Sequence, residues 1–180
     1  LRWAWPQAVG GDMHEVIGSK ASLIATAASQ NRFAADPSTV RDLATEIEWA
    51  KVMQVGPQDY PRVASLHGRR GPAGLSIEQA AEVYDSYERI KRSAGRIDFE
   101  DVLLLTVGVL EDRDDLRRQV QASFAHFTVD EYQDVSAVQE RLLRVWLGER
   151  DDVCVVGDVA QTIYSFAGAD PSHLLQFGNR

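Results

Sequence analysis

The chain has 180 residues, 44% hydrophobic and 26% charged, with a net charge of −8. That composition excludes a disordered chain and allows one good core or two modest ones. Residues 1–92 carry 11 Lys+Arg and 11 Asp+Glu, residues 93–180 carry 8 and 16, and so the second half holds the whole acidic excess. An acidic half excludes a purely electrostatic grip on nucleic acid and suits either a metal-assisted site or a solvated surface.

The single cysteine, Cys154, excludes a disulfide framework and points to a reducing, cytoplasmic compartment; inside an apolar run it is expected in the core. The longest apolar stretch, Val102 to Leu110, is about half the length of a membrane helix, so no membrane partner is expected.

Residues 1–19 are rich in Trp, Pro and Gly and read as an irregular lead-in, with Trp3 and Trp5 either packing on helices or forming an exposed aromatic platform for bases. A helix is expected over 20–33. A second opens with Asp36 as N-cap and Pro37 at its first position, and presents Val40, Leu43, Ile47 and Ala50 on one face. After Gly56-Pro57 a short helix near 58–66 leads into a flexible basic loop, HGRRGPAG. Arg69 and Arg70 in that loop either meet a phosphate backbone or are ordinary exposed residues. Ser76 and Gln79 form a capping box before a helix whose inner face carries Ala80, Val83, Tyr84, Tyr87 and Ile90. Residues 20–92 therefore read as an all-helical module.

The character changes at Ser93-Ala94-Gly95. Asp98 caps an apolar helix, a charged helix follows near 114–122, and a strand is expected from Phe124 to Val129. Ser136 and Gln139 form a second capping box on a helix ending at Gly148, and a second strand covers Val153 to Val156. Strand, helix, strand with near-continuous apolar strands is a βαβ unit in a parallel sheet covered on both faces. The fold class is α/β: a partial parallel sheet over 93–180 with an N-terminal all-helical subdomain.

In such sheets ligands gather at the carboxyl ends of the strands. That rule sets Asp130-Glu131 and Gly157-Asp158 on one rim. A strand-end Asp followed by Glu can hold Mg²⁺ and orient an attacking water, and it can equally be an acidic turn that caps the next helix.

The larger pattern is more specific. DEYQD, Asp130 to Asp134, resembles motif II (DExQD) of the superfamily 1 DNA helicases, the UvrD/PcrA/Rep group. VVGDVAQTIYSFAGAD, ending at Asp170, resembles their motif III, and RIDFEDVLLL from Arg96 resembles their DFxDLL segment. The resemblance implies a partial RecA-like ATPase subdomain, 1A, over 93–180, and a helical subdomain, 1B, over 1–92. It implies ATP and Mg²⁺ as cofactors, single-stranded and duplex DNA as partners, and 3′–5′ unwinding of the kind used in DNA repair. Carried over residue by residue, Asp130 is the Mg²⁺ ligand and Glu131 the catalytic base. Gln161 senses the γ-phosphate beside Asp158, and Gln133 and Asp134 couple the site to neighbouring motifs. Tyr164 and Phe166 stack on single-stranded bases, with Ile163 beside them in the core. The sequence departs from the family at Ala167, where an Arg is usual.

None of the three lysines, Lys20, Lys51 and Lys91, can belong to a GxxxxGK[ST] phosphate loop. The expectation is a piece of a helicase that lacks other subdomains, has incomplete sheet edges and hydrolyses no ATP alone. The competing readings are a non-enzymatic DNA- or partner-binding module and the helicase half of a RecB-like helicase–nuclease.

Overall fold

The computed structural model describes residues 1–164 and 167–179. Two compact units divide it: His14–Asp101, and Leu1–Met13 together with Val102–Arg180.

The first unit is a helical bundle of α2 (Ala21–Gln30), α3 (Pro37–Val52), α4 (Tyr60–Leu66) and α5 (Ile77–Ser93); α1 and β1 are the earlier elements Trp5–Ala8 and Glu15–Val16. Its helices begin where the sequence says they should. The Asp36 carboxylate accepts the N–H groups of Ser38 and Thr39, both at 3.1 Å, ahead of Pro37. Ser76 and Gln79 make the reciprocal capping box, at 3.1 and 2.8 Å. The predicted face of α3 is buried in full, and so are Ala80, Val83, Tyr84 and Tyr87 of α5. Ala27 and Ala28 of α2 lack any exposed surface and let α2 lie close against α5.

Two features of this unit go beyond helices. Residues Glu15–Val16 pair in parallel with β2 (Arg96–Ile97). Asp98 and Asp101 then reach the ammonium groups of Lys51 and Lys91. These contacts carry the compact helical unit past residue 92, to Asp101. The loop after α4 is also tightly built. A Cβ on Gly71 would lie 1.8 Å from the Leu75 carbonyl oxygen, and Ala73 sits at φ 52° inside the Pro72–Gly74 turn. That close approach leaves no room for a side chain at Gly71.

The second unit contains α1, the residues of α6 (Phe99–Asp112) from Val102 onward, α7 (Asp114–Ser123), β3 (Phe127–Val129), α8 (Ala137–Leu147), β4 (Val153–Val155) and α9 (Ser172–Leu175). In the lead-in, Trp5 is buried and Trp3 is half exposed. Arg113 holds α1 by donating to the Gln7 carbonyl at 2.5 Å. Arg141 binds Glu111 at 2.6 Å, and the Gln121 amide donates to Val145 at 2.9 Å, joining α6, α7 and α8.

The α/β architecture is present. Strands β3 and β4 pair in parallel, Phe127 opposite Val153 and Val129 opposite Val155, with α8 as the crossover between them. Phe127, Val129, Val153 and Val155 pack with Leu143 and Leu147 of α8 on one face. The expected cover on both faces is not met: Thr128 and Cys154 point the other way and are exposed. The period-2 alternation of a strand puts Cys154 opposite its apolar neighbours, which corrects its expected place in the core. Among the described residues no helix is long and apolar enough to cross a membrane.

Candidate active site and its coupling turns

The site is built at the carboxyl ends of β3 and β4. The ladder continues past both strands: Val156 donates to Val129 at 2.8 Å and Tyr132 donates to Val156 at 2.9 Å. The chain after β3 therefore runs beside the chain after β4. Asp130 and Glu131 are exposed at this rim. The Asp130 carboxylate accepts the Glu131 N–H at 2.9 Å.

Glu131 adopts φ 52° and ψ 40°, a left-handed conformation that costs a non-glycine residue about 1–3 kcal/mol. The next turn, Tyr132–Asp134, offsets that strain. The Tyr132 ring has no exposed surface and meets Phe177 edge-on at 5.2 Å, and its hydroxyl donates to the buried Glu140 carboxylate.

Gln133, also without exposed surface, is the centre of the arrangement. Its Nε2 donates to Glu131 Oε2 at 2.6 Å, and its Oε1 accepts the Asp158 N–H at 3.0 Å. The two neighbours fix the amide orientation, because the reversed amide would set oxygen against carboxylate and N–H against N–H. Asp134 makes the second link, its Oδ1 accepting the N–H groups of Ile163 and Tyr164 at 3.3 and 3.4 Å. Gln133 and Asp134, expected to couple the site to neighbouring motifs, thus hydrogen-bond to the backbone of Asp158 and to that of Ile163 and Tyr164.

Asp158 caps the Val159–Gln161 turn. Its carboxylate accepts the Ala160 N–H at 2.9 Å and the Gln161 Nε2 at 3.0 Å. Those two hydrogen bonds, the Gln161 one foremost, hold its carboxyl below the ordinary aspartate range.

The residues suggested for DNA contact divide. Tyr164 is about half exposed, Arg70 is exposed, and Phe166 lies outside the described residues. Arg69 is engaged within the helical unit. Its Nε and Nη2 grip the nearly buried Glu46 carboxylate at 2.7 and 2.6 Å, and its guanidinium lies 4.3 Å over the Trp49 ring. Ile163, expected in the core, is 65% exposed. Its backbone is tied to Asp134, and that tie turns its side chain outward.

Sequence reasoning missed two features here. One is the left-handed Glu131, and the other is the tight approach at Gly157. A Cβ on Gly157 would lie 2.4 Å from Gln133 Oε1 and 3.1 Å from both the Tyr132 nitrogen and Leu174 Cδ2. The only signal was the glycine after an apolar run, which by itself reads as a strand end.

With this geometry in place the comparisons are specific. The family model described as UvrD/REP helicase N-terminal domain matches residues 13–180. The chain belongs to that family. Over its whole length it is 42% identical to the ATP-dependent DNA helicase UvrD2 of Mycobacterium tuberculosis, covering 26% of that protein. It is 38% identical to UvrD1 of the same organism, over 54% of this chain and 14% of the relative. It is 29% identical to the helicase PcrA of Leuconostoc citreum, over 79% of this chain and 18% of the relative. The chain thus spans about a quarter of the length of its UvrD2 relative. The resemblance read from DEYQD and the Val155 to Asp170 stretch is a true family relationship.

Proposed function

We propose that this chain forms part of an ATP-dependent 3′–5′ DNA helicase motor that couples ATP hydrolysis to movement along single-stranded DNA and to duplex unwinding. The site-bearing part corresponds to a partial RecA-like subdomain 1A and the helical part to subdomain 1B. The observation that carries the reading is Gln133, which joins the Glu131 carboxylate to the backbone of Asp158. A motor needs such a join between its hydrolysis edge and the segment that meets its track. The names of the UvrD2, UvrD1 and PcrA relatives support the same activity.

Glu131 takes the proton of the attacking water, and its exposed carboxylate is reachable by solvent. Gln161 offers an amide that can turn from Asp158 to the terminal phosphate. Asp130 suits Mg²⁺: it is a hard oxygen donor at the rim, with no cationic side chain paired to it among the described residues. Bound there, the ion would neutralise charge on the transferred phosphoryl group. Tyr164, with Phe166, supplies a stacking surface for bases, and Arg70 a cation for the backbone; Arg69 serves the fold first. The lone thiol fits work in the cytoplasm.

The test is ATP turnover by the full-length parent protein with single-stranded DNA, comparing wild type with Glu131→Gln. The substitution keeps size and removes the base, so turnover should fall at least about 100-fold. Undiminished turnover would remove Glu131 from the role.

A further inference from the structure

Gln133 and Gly157 are a fitted pair. The Gln133 side chain is sealed from solvent, and its two polar ends are both used, one on Glu131 and one on Asp158. Gly157 does not need to be glycine for its backbone angles, since its φ is outside the left-handed region. It needs to be glycine for space. The nearest atom to an added Cβ is Gln133 Oε1 at 2.4 Å, with Tyr132 nitrogen and Leu174 Cδ2 closing the other sides at 3.1 Å. A methyl group there would press hardest on the Gln133 amide, with the Leu174 side chain as the second movable neighbour. Any such push would act on both hydrogen bonds and, through Nε2, on the strained Glu131.

We propose that Gln133 is a positioning residue that holds Glu131 in its left-handed, catalytically useful place, and that the bare Gly157 is the socket that admits it. The proposal rests on the reading of Glu131 as the base for ATP hydrolysis. Gln133 itself touches neither nucleotide nor water in this role; it acts through Glu131. The pair also gives one route between the strand ends: a shift of the Gly157-Asp158 backbone moves the Gln133 amide and with it the Glu131 carboxylate.

The experiment is a double-mutant cycle in the full-length parent protein: Gly157→Ala, Gln133→Ala and both together, with kcat and KM for ATP and the thermal unfolding midpoint of each. A displaced base lowers kcat by about 10- to 100-fold in each single variant, while KM for ATP changes by less than about threefold. The double variant should lose no more kcat than Gln133→Ala alone, because the amide that carries the clash to Glu131 is gone. Gln133→Met fills the space without either hydrogen bond, and it carries the kcat test if Gln133→Ala does not fold.

Losses that multiply in the double variant would overturn the pair, as would wild-type kcat in either single variant or a loss confined to KM. If the wild-type parent shows no ATP turnover, the ATPase reading fails and the pair is judged on unfolding alone. Gly157→Ala should then lower the midpoint more in the Gln133 background than in the Gln133→Ala background, where only the 3.1 Å approaches to Tyr132 and Leu174 remain. Equal lowering in both would refute the fit.

Discussion

The Lys51 ammonium lies 2.6 Å from the carboxylate of Asp98, a side chain with no exposed surface. Asp98 also accepts from Lys91 at 2.9 Å and from the Tyr87 hydroxyl at 2.7 Å, and its Oδ1 caps the start of α6 through the Asp101 N–H at 2.9 Å. Glu88 and Asp101 complete the cluster around the two lysines. Three carboxylates this close could serve a cation, and here the two ammonium groups fill that place. The cluster fastens α3 and α5 to the segment that follows β2.

Removing one partner of a buried pair leaves the other charge uncompensated. Lys51→Met should destabilise the helical unit by about 3 kcal/mol, read as a lower urea midpoint with little change in slope. Lys91→Met should cost less, since Asp98 keeps the closer ammonium.

The same cluster sets an acid limit. Burial alone would raise the Asp98 carboxyl, but Lys51 and Lys91 outweigh it and hold the group well below the usual range. A depressed folded-state pKa means the stabilisation is complete above the unfolded value, about 4, and is lost as pH falls further. The thermal midpoint should drop steeply below pH about 4 in wild type and less steeply in Asp98→Asn.

Arg69 and Arg70, neighbours in one loop, should behave differently. Arg69→Ala removes both hydrogen bonds to Glu46 and the contact with Trp49, leaving a nearly buried carboxylate that still accepts from the Tyr60 hydroxyl. A loss of about 2–3 kcal/mol in stability is expected. Arg70→Ala should alter stability by less than about 0.5 kcal/mol. If Arg70 meets a phosphate in the parent protein, the same change weakens DNA binding uniformly across sequences and flattens its salt dependence. Titrating single-stranded DNA at two salt concentrations reads that difference.

Helix ends were the most legible part of the sequence. Asp36-Pro37, Ser76 with Gln79, and Gly148 each name a backbone need that only a few residues meet, so α3, α5 and α8 fall close to their expected bounds. The residues that couple the site were legible only as motif positions; spacing could not show that Gln133 faces two ways. Cys154 and Ile163 misled because an apolar letter does not say which face of a strand or turn is covered. The Lys51–Asp98 pairing was invisible for the opposite reason. Asp98 read as a helix cap and Lys51 as a lysine outside any phosphate loop, and only the fold brings residues so far apart in sequence together.

Gly148 ends α8 at φ 62° and ψ −130°, a region that side chains avoid. A Cβ there would also meet Gln121 Nε2 at 2.8 Å, the group that ties α7 to Val145. Gly148→Ala should therefore destabilise the site-bearing unit by about 1–3 kcal/mol. Gly108, within α6, meets nothing within 4 Å of an added Cβ, so Gly108→Ala should stabilise by up to about 1 kcal/mol. Chemical unfolding of the two variants should move in opposite directions.

The Asp158–Gln161 hydrogen bond predicts a titration that can be followed directly. Gln161 contributes most to the lowered Asp158 pKa, ahead of the Ala160 N–H. The cap on the Val159–Gln161 turn is therefore intact at neutral pH and is lost only as pH falls through the depressed value. The Ala160 amide proton, bonded to the other carboxylate oxygen, reports this by NMR. Its midpoint should lie below that of a free aspartate, and Gln161→Ala should raise it toward the ordinary value. An unmoved midpoint would mean that Gln161 is not held by Asp158 in solution, and the turn from Asp158 to phosphate would lose its starting position.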